Sequence, residues 1–160
     1  MEAWNIVALA GVEITHVPKS LIGEAAQRAK DLGAQIVLVH GETIVEPVEP
    51  GSNLAALGSS SVDILAHPGL ITEEEASLAA EMGIFLEIST RRGHSLTNGH
   101  VAKIGLASGA KLLIDSDAHR PEDLLNMELI RKVAKGAGLS EDEAATLIEN
   151  NPPELLKRTN

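Results

Sequence analysis

Apolar and polar positions along the chain follow two rhythms, short continuous apolar runs and longer stretches with helical spacing that carry their own start and stop signals. The runs Ile6 to Val12, Gln35 to Val39, Val62 to Ala66, Ile84 to Ile88 and Lys111 to Ile114 read as strands. Pro18 opens a helical stretch through Leu32, with Leu21, Ile22, Ala25, Ala29 and Leu32 on one face and Gly33 at its end. Asn53 caps a short helix through Leu57, Thr72 and Glu75 form a capping box for a helix that stops at Gly83, and another helix runs from Gly99 to Ser108. This alternation predicts a parallel α/β sheet built from βα units. No strand signal follows Ile114. Glu122 to Ala137, Glu141 to Glu149 and Glu154 to Arg158 read instead as three helices, broken at Gly136-Ala137-Gly138 and at Asn151-Pro152-Pro153, with Ser140 as a cap.

The chemistry gathers where the strands stop. Glu13, His40, His67, Asp117 and His119 each close or follow an apolar run, which places them on one rim of a parallel sheet, where α/β proteins keep their sites. Gly41 and Pro68-Gly69 let the backbone turn sharply after the two strand-ending histidines. Asp117 and His119, at i and i+2, face the same way if the strand persists. A single histidine at such a place is more often a packed core residue; several at the same end of successive strands point to metal ligands. Carboxylates and imidazoles without thiolates suit Zn²⁺, Mn²⁺ or Fe. The loop STRRGHSLTNG offers Arg91 or Arg92 for a phosphate group, and His94, Ser95 and Asn98 as substrate contacts. His16, Glu42 and Asp115 are further candidates near the rim, whereas His100 falls in a predicted helix and reads as packing or surface.

Composition narrows the partners. At 160 residues one domain is expected, and a net charge of −10 argues against a nucleic-acid backbone, which needs clustered Lys and Arg. The absence of cysteine excludes disulfides and fits a cytoplasmic protein. No apolar stretch approaches the ~20 residues of a membrane helix. Phosphate loops, dinucleotide fingerprints and Cys-His pairs are absent from the sequence.

The segments GVEITHVP (11–18), VHGETIVEP (39–47), DILAHPGLIT (63–72), LEISTRRGHSLTNG (86–99) and DSDAH (115–119) resemble the polymerase-and-histidinol-phosphatase (PHP) family, most closely its stand-alone histidinol-phosphatase-like branch. The resemblance implies a distorted (βα)₇ TIM-like barrel with a metal centre that hydrolyses phosphate esters. It implies Glu13, His40, His67, Asp117 and His119 as metal ligands, with Asp117 and His119 also catalytic, Arg91, Arg92 and His94 as substrate-binding residues, and zinc, manganese or iron as the ions. Glu13, His40 and His67 would fill one metal position. The family's opening His-x-His is not found in the sequence, so the resemblance implies a single PHP-like domain lacking about its first two βα units, with an exposed edge strand open to self-association. The expected substrate is a small phosphomonoester, or a phosphodiester. Two alternatives stand beside this reading, an amidohydrolase-type metal hydrolase and a catalytically weak module that binds a partner or oligomerises.

Overall fold

A computed structural model describes residues 8–159. Strands β1 (Gly11–Ile14), β2 (Ile36–His40), β3 (Ile64–Ala66), β4 (Phe85–Ser89) and β5 (Leu112–Asp115) form one sheet in the order β1-β2-β3-β4-β5. Every neighbouring pair is parallel. Helices α1 (Ile22–Asp31), α2 (Ser52–Leu57), α3 (Glu73–Met82) and α4 (Asn98–Ala107) lie in the four crossovers. A parallel crossover is right-handed, so stepping always in one direction puts all four helices on the same face, where each packs against the next.

The expected (βα)₇ barrel is not formed. The structure is an open α/β sheet of five strands, with β1 and β5 as its edges among the described residues. A barrel closes only when its first and last strands meet. After β5 the chain turns instead into α5 (Met127–Gly136), α6 (Glu141–Ala145) and α7 (Asn151–Leu156). Ile6, at the start of the expected first strand, lies outside the described residues, and β1 begins at Gly11, so Glu13 sits inside the strand rather than after it.

Side chains alternate between the two faces of the sheet. Toward α1–α4 point Val37, Val39, Leu65, Leu86, Ile88 and Leu112, all buried with Ala26, Leu57, Ala79 and Val101 of the helices. The opposite face carries Leu38, Ile64, Phe85 and Leu113, covered by Leu155 of α7. Toward the carboxyl ends of the strands this second face becomes polar, with Glu13, His40, Glu87 and Asp115 following Gly11, Leu38, Phe85 and Leu113 at two-residue steps. That switch from apolar to polar along one face positions the site.

Local signals explain most helix ends. Thr72 and Glu75 form the expected capping box, and Gly83 ends α3 at φ 68°. Ser140 and Glu143 cap α6 in the same manner. Three expectations differ. Asn53 does not cap α2 but lies inside it, its side chain accepting from the Glu42 N–H and donating to the Pro68 carbonyl. The helix expected from Glu122 is a short 3₁₀ turn, Pro121–Asp123, and α5 starts only at Met127, where the Asn126 side chain accepts from the Leu129 N–H. Asn151-Pro152-Pro153 does not break the chain, because a π-helical turn, Thr146–Asn150, carries α6 into α7. Proline has no N–H to give to an α-helical bond, and the wider turn accommodates its ring. Asn151 then anchors the junction by donating to the Leu112 carbonyl at 2.7 Å.

Candidate metal centre

Glu13 of β1, His40 at the end of β2 and His67 just after β3 converge although they come from three separate strands. His67 Nε2 lies 2.9 Å from His40 Nδ1. Glu13 Oε1 lies 3.4 Å from His40 Nδ1 and 3.8 Å from His67 Nε2. Two tight turns bring the histidines together. A Cβ on Gly69 (φ +67°) would fall 1.9 Å from the Glu42 carbonyl oxygen, and one on Gly41 would fall 2.6 Å from the Ala66 carbonyl oxygen. The turns after β2 and β3 therefore pack backbone to backbone, which only glycine permits. His67 itself is held at φ 32°, His16 at φ 54° and Asp117 at φ 44°. Left-handed backbone at non-glycine residues costs about 1–3 kcal/mol each and gathers at functional sites.

The far nitrogen of each ring fixes the near one. His40 Nε2 lies 3.2 Å from the Glu46 carbonyl, a pure acceptor, so it carries the proton and leaves a lone pair on Nδ1. His67 Nδ1 lies 2.9 Å from Glu87 Oε2, which also accepts the His67 backbone N–H at 2.5 Å. Its Nε2 is accordingly the unprotonated nitrogen. In these neutral tautomers two lone pairs face each other beside a carboxylate, an arrangement that calls for a positive charge between them, either a proton on His40 or a metal ion. Metal bonds of about 2.0–2.2 Å give tetrahedral donor–donor separations of about 3.3–3.6 Å, and the three observed spacings straddle that range. The donor set fits a divalent ion. Burial acts against the charged form of His40, but the contact with Glu13 and the Glu46 carbonyl outweigh it, so its pKa is raised. The same contact with His40 holds the Glu13 carboxyl below its ordinary value, against its own burial. His67 is pushed down by burial and by the charge of His40.

Beneath His67 lies a feature that sequence reasoning missed. Glu87 is buried, and its Oε1 is the one buried side-chain polar atom without a hydrogen-bond partner among the described residues. Burial raises the Glu87 pKa, while burial and then the neighbouring Glu87 push Asp115 well up. A proton shared between these carboxyl groups relieves both the repulsion and the missing bond. The available signal was a glutamate in the middle of the apolar run FLEIS, where an unpaired carboxylate is costly.

A second group adjoins the first. The buried His94 ring stacks on His67 with centroids 4.1 Å apart, and its Nδ1 bonds the Thr43 hydroxyl at 2.9 Å. Its Nε2 faces Glu46 Oε2 at 3.7 Å and Asp117 Oδ2 at 3.9 Å. His67, His94 and Asp117 together form another set able to hold a cation. Burial, and then the charge of His67, push His94 down to about 4. Burial raises the Asp117 pKa, opposed by Arg91, whose Nε reaches Asp117 Oδ2 at 3.2 Å. The expectation that Asp117 and His119 share a face required the strand to continue. It ends at Asp115, Asp117 turns left-handed, and the exposed His119 folds back so that Nδ1 meets the Asp117 carbonyl at 2.8 Å and the Arg91 guanidinium.

The remaining candidates take varied places. His16 is exposed, with its ring centroid 5.6 Å from that of His40 and its Nδ1 against Thr15 Oγ1. Glu42 accepts the N–H groups of Gly51 and Asn53 and so fixes the start of α2. Asn98 bonds both the N–H and the carbonyl of Ser89, pinning the end of β4. His100 Nε2 meets the Ile71 carbonyl at 2.7 Å, in keeping with packing. Arg92 is exposed, and Ser95 is half-buried in the 3₁₀ turn His94–Thr97. Thr43 and Glu46 were not foreseen as site residues; both sit in a loop with no periodicity from which their direction could be read.

Comparison with known proteins places this arrangement among relatives. An uncharacterized protein of Methanocaldococcus jannaschii, MJ1295, is 52% identical over 154 residues, which is 96% of this chain and 71% of that protein. Two proteins named probable phosphatases, from Thermoanaerobacter sp. and Thermoanaerobacter pseudethanolicus, are each 35% identical over 98 residues, spanning 54% of this chain and 40% of theirs. No model of a known protein family matches the chain. Among solved structures, a chain in the cryo-EM structure of archaeal ribonuclease P with mature tRNA superposes with a TM-score of 0.65 at 20% identity, covering 99% of this chain and 68% of that one. A crystal structure of an uncharacterized protein gives a TM-score of 0.65 at 14% identity, covering 92% and 44%. At such identities the likeness is one of fold.

Proposed function

Since this chain belongs to the same family as the Methanocaldococcus jannaschii protein, we propose that it is a metal-dependent phosphoesterase of the PHP kind, acting on a small phosphomonoester or phosphodiester. The distant relatives named probable phosphatases support a phosphatase-type activity. The observation that carries the reading is the pair of imidazole lone pairs, 2.9 Å apart beside Glu13, each fixed from behind by an acceptor.

In this reading Glu13, His40 and His67 hold a divalent ion, which when bound lowers the pKa of a water to about 7 and shields phosphoryl charge. The chain's other residues orient and move protons. Arg91 lies against Asp117 and presents its guanidinium toward the phosphoryl oxygens, for which a planar donor fork is suited. Asp117, its pKa raised by burial, is poised to take a proton on its carboxylate from the attacking water. His119, its exposed ring held by Asp117 and Arg91 through Nδ1, offers Nε2 as a hydrogen-bonding group for the departing alcohol. His94, with its tautomer set by Thr43, lines the wall beside Asp117. A net charge of −10 counts against a nucleic-acid substrate, and no described helix is long and apolar enough to cross a membrane. Phosphate release from p-nitrophenyl phosphate and from small alkyl phosphates, with Mn²⁺ or Zn²⁺ present, tests the proposal. His67→Ala should abolish turnover that His100→Ala retains, and an equal effect of both variants would reject it.

A further inference from the structure

Beyond the histidine cluster, the loops after β4 and β5 enclose a cleft of about 540 Å³, within the range of small-molecule sites, whose lining includes Arg91, Arg92, Ser116, His119 and Arg120. Neither Glu13, His40 nor His67 lines it, while Asp117 stands between, touching His94 on one side and Arg91 on the other. In a chain with 23 acidic and 13 basic residues, a basic side chain without an acidic partner is informative. The exposed Arg92 side chain forms no hydrogen bond or ion pair among the described residues, and the exposed Arg120 has only Asp123 as an acidic neighbour, whose pKa its charge helps to lower. Two acids also line the cleft, Glu122 and Asp123, but the Asp123 carboxylate is turned onto the backbone N–H groups of His119 and Arg120, at 2.9 and 3.0 Å. Guanidinium groups around a polar cavity are suited to an oxyanion, and the cavity adjoins the reacting group on its leaving side, through Arg91 and His119, without including the histidine cluster.

We propose that this cleft receives a second anionic group of the substrate, so that the chain acts on small molecules bearing, besides the phosphate ester, another phosphate or a carboxylate. The inference rests on the phosphoesterase reading for the reacting group, while the cleft itself rests on Arg92 and Arg120. Guanidinium groups bind both oxyanions through paired N–H donors, so the test separates the two.

Calorimetry with the Mn²⁺-loaded chain compares propylphosphonate, propane-1,3-diyl bisphosphonate and 4-phosphonobutanoate. The compound with the matching second group should bind at least about tenfold tighter than propylphosphonate. Arg92→Gln with Arg120→Gln should remove that advantage, so that the ligands with a second anion bind no tighter than propylphosphonate, and the lysine variants at both positions should restore part of it. Equal affinity for all three ligands, or a preference that survives the double variant, would overturn the proposal. Turnover separates it from the reading on which it rests. Phosphomonoester hydrolysis without any preference for a second anion removes the cleft and keeps the phosphoesterase, whereas selective binding lost in the double variant, without turnover of any ester, supports the cleft and removes the phosphoesterase.

Discussion

Replacing Glu87 by glutamine tests whether this buried carboxylate exists to orient a ligand rather than to stabilise the fold. In the native chain Glu87 Oε2 accepts two bonds from His67, at 2.5 Å from its backbone N–H and 2.9 Å from Nδ1. Hydrogen bonds to a charged group contribute about 1.5–3 kcal/mol each and neutral ones about 0.5–1.5. Glutamine keeps an acceptor but loses the charge, so about 1–3 kcal/mol of favourable interaction disappears. Against this, the amide needs no shared proton, ends the carboxyl repulsion that pushes Asp115 well up, and can donate to Asp115. Folding stability of the metal-free Glu87→Gln chain at pH 7 should therefore stay within about 1 kcal/mol of wild type. Metal affinity should not stay. A carboxylate behind a ligating imidazole raises its basicity, and losing such a partner weakens binding about 10–100-fold. Urea denaturation and calorimetric titration with Zn²⁺ read the two quantities on the same preparation. A Glu87→Gln chain that binds Zn²⁺ as tightly as wild type would refute the reasoning.

Other outcomes follow from the same geometry. His94, pushed down to about 4 from 6.5, is held neutral by the fold, so the stability of the metal-free chain should be fully present above pH 6.5 and fall as pH drops toward 4; His94→Gln should recover about 1–3 kcal/mol of that loss in denaturant titrations. Gly69→Ala should cost at least about 3 kcal/mol or prevent folding, because its Cβ would overlap the Glu42 carbonyl at positive φ, whereas Gly33→Ala, at φ +97° with nothing within 4 Å, should cost only about 1 kcal/mol in thermal melts. The open edge of β1, beside an apolar groove lined by Val12, Val17, Ala25 and Leu32, should promote association that Val12→Lys reduces in sedimentation analysis.

The elements were readable because each carries local information. Thr72 with Glu75, Ser140, and the glycine at 83 state helix ends within a few residues, and the apolar runs before His40 and His67 are short enough to be strands. Barrel closure was not readable, because whether β5 finds another neighbour depends on contacts between distant segments rather than on any property of Leu112–Asp115. The site divides along the same line. His40 and His67 announce themselves at strand ends and Glu13 close to one, but the direction of His119 depends on where β5 stops, and aspartate's readiness to turn left-handed does not by itself say that Asp117 is where the chain turns. Glu87 was detectable as a misfit in its strand, yet its partner His67 lies 20 residues away, and the bond between them exists only in the folded sheet.

Metal titration of the stripped chain tests the central claim most directly. Calorimetry with Zn²⁺ or Mn²⁺, checked by elemental analysis after dialysis, should reveal a saturable site at Glu13, His40 and His67 that His40→Ala and His67→Ala each abolish and His100→Ala leaves intact. Absence of binding by the wild-type chain, or binding unchanged when either histidine is removed, would contradict the account.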